Sequence, residues 1–237
     1  MTSTLTFRID APLQSWGLSG RFSHKDTARE PTKSGIVGLI ANAMGRDRSD
    51  PIGDLASVAV SVRVESEPRT VDDYRTVGSG NADALLRLHG HDPDDGYFAP
   101  AAGERGARKK TPIVIHAHHL IDGAYLVALH GEPELLHRIA TALDAPRRPV
   151  YLGRRGFFPV APFEPAIVPH SAAATLRSTP WRPPAWWPED RDPPAKLRLV
   201  EPAEPHEATA IRYDEPVSFA PRRFAPRFVK LTWIERP

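Results

Sequence analysis

Leu5, Phe7 and Ile9 alternate with Thr4, Thr6 and Arg8 near the start of the chain. A period of two predicts a half-buried first strand. Ala11 to Gly17 follows as a loop carrying Trp16. Ile36, Ile40 and Met44 then recur at four-residue spacing, with Val37 and Leu39 beside them. This predicts a helix over Ser34 to Met44, with Thr32 or Ser34 as its cap and Gly45 as its end. Val58, Val60, Val62 and Val64 alternate again, a second strand. Residues Glu67 to Thr111 have no clear period and read as an excursion from the main domain. Pro112 to His119 reads as a strand. Asp122-Gly123 is a hairpin-turn pair, and Ala124 to Leu129 is expected to return as the partner strand. Pro133 suits a first helical position, followed by an apolar stripe of Leu135, Leu136, Ile139, Ala140 and Leu143. Val150 to Leu152 restarts extended structure.

The order β-α-β, excursion, β-β-α-β predicts an α+β, ferredoxin-like domain with one additional strand. Its expected palm is residues 1–66 and 112–165, interrupted by the excursion at 67–111. Residues 166–237 form a C-terminal β-rich region expected to pack on the palm. There Lys196 to Val200, Thr209 to Tyr213 and Arg227 to Ile234 read as strands, after a Trp- and Pro-rich stretch from Ser178 to Pro194.

Composition narrows the function classes. A chain of 237 residues builds one core, or one core with a small appendage. Proline takes 26 positions, against a usual share of roughly 5%, so much of the chain must be loop or short strand. The absence of cysteine excludes disulfides, thiolate metal sites and cysteine nucleophiles. The net charge is only +2, so any nucleic-acid contact must use local clusters of basic residues. The N-terminus reads as neither a signal peptide nor a membrane anchor, and a cytoplasmic protein is expected.

One segment concentrates candidate chemistry: Tyr151-Leu152-Gly153-Arg154-Arg155-Gly156-Phe157-Phe158. Its glycines permit close backbone approach, its arginines suit phosphates or base planes, and its aromatics offer stacking surfaces. The same residues equally suit a surface loop with solvated arginines and core aromatics. Lys33, Ser34 and Gly35 open the first helix, where free N–H groups attract anions. An ordinary capped helix explains them too, and the glycine-lysine order of a Walker loop is missing. Tyr74 and Arg75 lie at the start of the excursion. Arg105, Arg108, Lys109 and Lys110 lie near its end, with acidic residues between them. Arg222, Arg223, Arg227 and Lys230 are interrupted by no acid but also suit a solvated sheet edge. His116, His118 and His119 invite a metal, yet two histidines on one strand face without a third ligand are a weak signal. No metal, no cofactor and no recognisable catalytic set is expected.

Five segments in order resemble the CasD family, the guide-handle-binding subunit of type I-E CRISPR Cascade complexes. They are Ala11-Pro12-Leu13-Gln14-Ser15-Trp16-Gly17, Pro31-Thr32-Lys33-Ser34-Gly35, Asp73-Tyr74-Arg75-Thr76-Val77, Tyr151-Leu152-Gly153-Arg154-Arg155, and more weakly Asp214-Glu215-Pro216 through Arg222-Arg223-Phe224. The resemblance implies an RRM/RAMP-type ferredoxin-like fold, with the excursion as a thumb lying across the guide. It implies a non-catalytic subunit that caps the 5′ handle of the crRNA. Expected neighbours are the backbone subunit CasC, the large subunit CasA and target DNA, while CasE cuts the precursor. With the resemblance, phosphate contact falls to Arg154 and Arg155, with Gly153 allowing close approach and Tyr151 beside them. Lys33, Ser34 and Gly35 become candidates for a second phosphate. Gln14 becomes a candidate base-edge reader, and Trp16 either a stacking platform or a core anchor. Tyr74, Arg75, Arg108 and Lys109 are assigned to the thumb's path along the guide. The rival is a metal-independent endoribonuclease that processes precursor crRNA, drawing on Tyr74, Lys109 and His116.

Overall fold

The computed structural model describes residues 3–18, 24–77 and 113–237. β1 (Thr4–Asp10) turns Leu5, Phe7 and Ile9 into the main core, as its alternation predicts. Its other face is covered as well: Thr4, Arg8 and Asp10 are also buried. After the short strands β2 (Leu13–Gln14), β3 (Trp16–Gly17), β4 (His24–Lys25) and β5 (Thr27–Ala28) comes helix α1 (Lys33–Ala43). Thr32 caps it, its hydroxyl accepting from the Gly35 N–H at 3.2 Å. Gly45, at φ +79°, ends it. The Arg46 N–H donates to Ala41 O and the Gly45 N–H to Asn42 O, the paired bonds of a Schellman stop.

A one-turn helix α2 (Gly53–Ala56) leads into β6 (Ala59–Ser66), then β7 (Arg69–Val77), β8 (Ile113–Ile121) and β9 (Ala124–His130). Helix α3 (Pro133–Asp144) begins at its proline, with the Glu132 carboxylate accepting from the N–H groups of Glu134 and Leu135. The predicted stripe Leu135, Leu136, Ile139 and Leu143 is buried with the core residues of α1 and β1. β10 (Ala166–Val168), α4 (Ala172–Ser178), β11 (Lys196–Pro202), β12 (Ala210–Ser218) and β13 (Arg223–Glu235) complete the chain. The main sheet has seven strands in the order β10-β1-β9-β6-β11-β13-β12, every pair antiparallel.

Two expectations are corrected. Asp122-Gly123 is not a hairpin turn, because β8 and β9 lie in different sheets. The β6·β9 ladder ends with Ser66 opposite Ala124, and the β7·β8 ladder resumes with Arg69 opposite Ile121. The two ladders form one long ribbon bent at Pro68 and Gly123. Asp122 takes the bend at φ 62°. Ser66 donates to its carbonyl and Arg69 holds its carboxylate. A Cβ on Gly123 would lie 2.7 Å from the Tyr125 hydroxyl, so glycine is what lets the strand leave the main sheet. Beyond the bend, β8 is flanked by β7 on one side and by β2 and β4 on the other. The second correction concerns Val150 to Leu152, which is loop. The strand that follows α3 is β10, past residue 165, paired with β1.

The C-terminal strands join the same sheet edge-on, β11 pairing with β6. The second face of that sheet is closed by α4, where Leu176 packs on Leu126, Ala128 and Leu199. Arg63, fully buried between β6 valines that face the other way, donates to Glu65 and to the carbonyls of Leu176 and Thr179. Trp181, from the Trp- and Pro-rich stretch, donates its indole N–H to Glu65 O at 3.0 Å. That stretch therefore roofs a buried ionic row which also includes Arg8 and Asp10.

Candidate nucleic-acid interface

The Gly-Arg-Arg loop is docked rather than free. The Ser15 N–H donates to Leu152 O, and the Leu152 N–H donates to Phe157 O. Leu152 is completely buried, which anchors the loop by its apolar side chain. Gly153 takes φ +90°, and a Cβ there would lie 1.6 Å from the Ser15 carbonyl oxygen. No other residue type fits that approach. Beyond this anchor Arg155 is exposed, and Tyr151 meets Phe158 edge-on.

The same loop meets the root of the β arm. Phe157 lies edge-on to the buried His119 of β8, ring centroids 4.8 Å apart. The His119 Nε2 is 3.2 Å from the Asp73 carboxylate, which also receives Arg75. Arg75 first, and His119 second, hold the Asp73 carboxyl down at about 2. Asp73 is therefore charged at every pH above that value, and its attraction for Arg75 is lost only as pH falls through it. Burial is the main influence on His119 and lowers its pKa, which favours the neutral ring.

Arg154 completes the cluster. Its Nε is buried with no hydrogen-bond partner, and it makes no ion pair among the described residues. Burial, and then the charge of Arg75, push its pKa down against the opposing pull of Asp73. An arginine stays charged in any case. The cost is a cation held beside a like charge and short of an acceptor, which an incoming anion relieves. If this cluster holds an RNA phosphate, Asp73→Asn is expected to free Arg75 beside Arg154, tightening single-stranded RNA binding and steepening its salt slope by about 0.7. Weaker RNA binding in a filter assay would mean instead that Asp73 positions Arg75 for the ligand.

The opposite face of the arm carries Tyr74, which is 61% exposed and edge-on to His116 at 5.3 Å. His116 stacks on His24 and bonds the Asp72 carboxylate at 2.9 Å. His118 shares that face, as the strand reading expects, and bonds Asp26. Among the described residues no group of three or more His, Asp or Glu is arranged to hold a metal ion.

The other expected contacts fall elsewhere. Gln14 is fully buried, its amide donating to Ala11 O and Gly123 O and accepting from the Trp16 indole. Its amide has no face left for a base edge in this conformation. Trp16 is a core anchor, packed so closely that a Cβ on Gly35 would lie 2.8 Å from its ring. The start of α1 is already supplied with anions. The Lys33 N–H donates to Asp214 at 2.8 Å, and its ammonium pairs with Glu215 at 2.6 Å. Ser34 shares a hydroxyl contact with Thr32. In this conformation two carboxylates from β12 occupy the groups through which Lys33 would hold a second phosphate, and the Gly35 N–H is taken by Thr32. Arg108 and Lys109 lie outside the described residues.

The geometry defines a class: a mixed α/β protein with an antiparallel sheet, a β arm bent out of it, and a cationic glycine loop docked at the arm's root. The chain belongs to the family described as CRISPR-associated protein (Cas_Cas5), whose model matches residues 4–230. The family expected from the ordered motifs is the family found. The chain is 29% identical over 159 residues to the CRISPR system Cascade subunit CasD of Escherichia coli strain K12, across 65% of this chain and 66% of that protein's length. It is also similar to a crystal structure of a Cas protein, at 33% identity and TM-score 0.70, covering 98% of this chain and 95% of that one. A chain of a CRISPR RNA-guided surveillance complex matches with TM-score 0.74 and 28% identity, over 99% of this chain and 91% of the other. Among the described residues, no helix is long and apolar enough to cross a membrane.

Proposed function

We propose that this chain is the RNA-binding subunit of a type I-E CRISPR Cascade complex, gripping the 5′ handle of the crRNA without cutting it. The observation that carries the reading is Arg154, a half-buried cation with an unpartnered Nε, pressed by Arg75 and set beside the exposed Arg155. A phosphodiester supplies what that site lacks. The relatives named for Cascade and for an RNA-guided complex support RNA as the anion. On this reading the partners are the crRNA, the backbone subunit CasC and the large subunit CasA, with target DNA nearby, in the cytoplasm. The strand order β10-β1-β9-β6, with α1 and α3 on one face, supports a ferredoxin-like RAMP palm. Residues 67–111 are its thumb, and the C-terminal region, expected from residue 166, is taken to begin after β10 because β10 pairs with β1.

Arg154→Ala tests the reading directly. The salt slope of handle-RNA binding is expected to fall by about 0.7, the single-strand value for one phosphate. An unchanged slope with unchanged affinity removes Arg154 from the interface. A second reading has one observation behind it: the Tyr74–His116 contact with Asp72 bonded to the imidazole, a group able to activate a 2′-hydroxyl. The same RNA incubated with the protein in a chelator decides between them. Cutting at one position, lost in His116→Ala, makes the chain a processing nuclease.

A further inference from the structure

The β12–β13 hairpin carries cations that the fold does not use. Two of its arginines are structural and turned inward. Arg212 donates to Glu30, and Arg227 donates to Asp214 through both Nε and Nη2. Arg222 and Arg223, at the start of β13, are exposed and have no hydrogen-bond or ion-pair partner for their guanidinium groups among the described residues. Lys230 stands opposite Glu201 in the β11·β13 register and is left out of the group.

The two carboxylates of β12 are withdrawn from that surface. Asp214 is buried against Lys33 N–H and Arg227, and Glu215 holds the Lys33 ammonium. What the hairpin presents outward is apolar and aromatic: Ile211, Val217 and Phe224 are exposed, and Tyr213 is 72% exposed. Free cations at the turn and exposed rings along the strands, with the acids of β12 engaged inward, match a strand of phosphates and bases better than a peptide or a bare anion.

Arg222 adds an independent observation. It sits at φ 46°, the left-handed region that glycine adopts freely and that is strained for other residues. Among the described residues no contact requires its side chain. The guanidinium is kept where the backbone alone would favour glycine, which points to a role outside the fold.

The hairpin also lies along the helix that borders the Gly-Arg-Arg loop. Glu215 pairs with Lys33, and a Cβ on Gly38 would meet the Phe219 ring at 3.7 Å. One turn along the same helix Gly35 abuts Trp16, and the adjacent Ser15 abuts Gly153. Both cationic surfaces are thus fixed to α1.

We propose that the β12–β13 hairpin is a second contact for single-stranded RNA, with Arg222 and Arg223 on phosphates and Tyr213 under a base. It rests on the RNA-binding reading above and extends it to a separate stretch of the strand. The test uses the full chain and a fluorescent single-stranded RNA of about 30 nucleotides, longer than a typical single binding site. Arg222→Gly/Arg223→Ala is expected to weaken binding about tenfold and to lower the salt slope by about 1.4, two phosphates at the single-strand value. Arg222→Gly alone is expected to raise or preserve the melting temperature while weakening RNA binding, which separates ligand contact from folding. Tyr213→Ala is expected to weaken binding further, with Tyr213→Trp restoring it. If wild type and Arg154→Ala behave as expected but the hairpin variants keep wild-type affinity and slope, the hairpin contact is wrong and the RNA reading stands. If wild type binds no RNA, both fall. If the variants bind RNA normally yet fail to assemble with other subunits, the surface recognises protein, and the inference is overturned.

Discussion

Arg63→Met is expected to destabilise the protein by about 3–5 kcal/mol, the range for breaking a buried ion pair by removing one partner. Arg63 is fully buried, with Nε 2.5 Å from Glu65 and Nη1 2.6 Å from each of the Leu176 and Thr179 carbonyls. The substitution leaves a buried carboxylate and two carbonyls at the end of α4 without their donor. The Glu65 pKa is already raised, because burial outweighs the pull of Arg63 and Arg8. Losing Arg63 raises it further. A carboxyl raised above its unfolded value stabilises the fold while protonated and loses that contribution as pH rises through the folded value. The deficit of the variant should therefore grow from acid toward neutral pH in chemical denaturation. Arg63→Met/Glu65→Leu should recover most of it, since an apolar pair of similar bulk replaces the ion pair well. A loss below about 1 kcal/mol at neutral pH would mean that Leu176 and its apolar neighbours hold α4 without help.

Arg63 also marks the limit of what the chain makes legible. Val58, Val60, Val62 and Val64 announce a strand with one buried face, and an arginine between them reads as solvent-facing. The residues that cover it, Leu176 to Trp181, lie more than a hundred positions away, in a stretch whose proline content hides any period. The helices α1 and α3 were readable because caps, stops and stripes are local. The bend at Gly123 was not, because Asp-Gly has the same chemistry in a hairpin turn as in a strand that changes sheets. The motif Gly153-Arg154-Arg155 was readable only as a candidate for phosphate contact, beside an equal reading as a solvated surface loop. That Asp73 and His119 stand beside it depends on the arm folding back, which no spacing encodes. Lys33 misled for a related reason. A helix start with a lysine looks open to anions until the carboxylates of Asp214 and Glu215 are brought to it from β12. The pair was visible in sequence only as a fragment of a family motif.

Gly153→Ala is expected to cost about 2–5 kcal/mol, combining a left-handed backbone penalty of about 1–2 kcal/mol with overpacking of about 1–3 kcal/mol. The added Cβ would fall 1.6 Å from a backbone oxygen, Ser15 O, and a carbonyl within a paired segment cannot swing aside as a side-chain tip can. The loop must lift instead. That breaks the Ser15-to-Leu152 hydrogen bond and draws the fully buried Leu152 from the core. The functional consequence follows from the same movement. On the proposed RNA-binding reading, Arg154 is carried away from Arg75, so RNA affinity should fall more than in Arg154→Ala, although the charge is retained. Gly156→Ala is the matched control. It lies in the same loop, where an added Cβ would meet nothing within 4 Å, so its stability should stay within about 0.5 kcal/mol of wild type. Denaturation and RNA titration of the two variants side by side separate anchoring from general loop sensitivity. If both alanines are tolerated alike, the loop is not held by its contact with Ser15. If only Gly153→Ala fails in both assays, the position of Arg154, and not merely its charge, is what the docked glycine supplies.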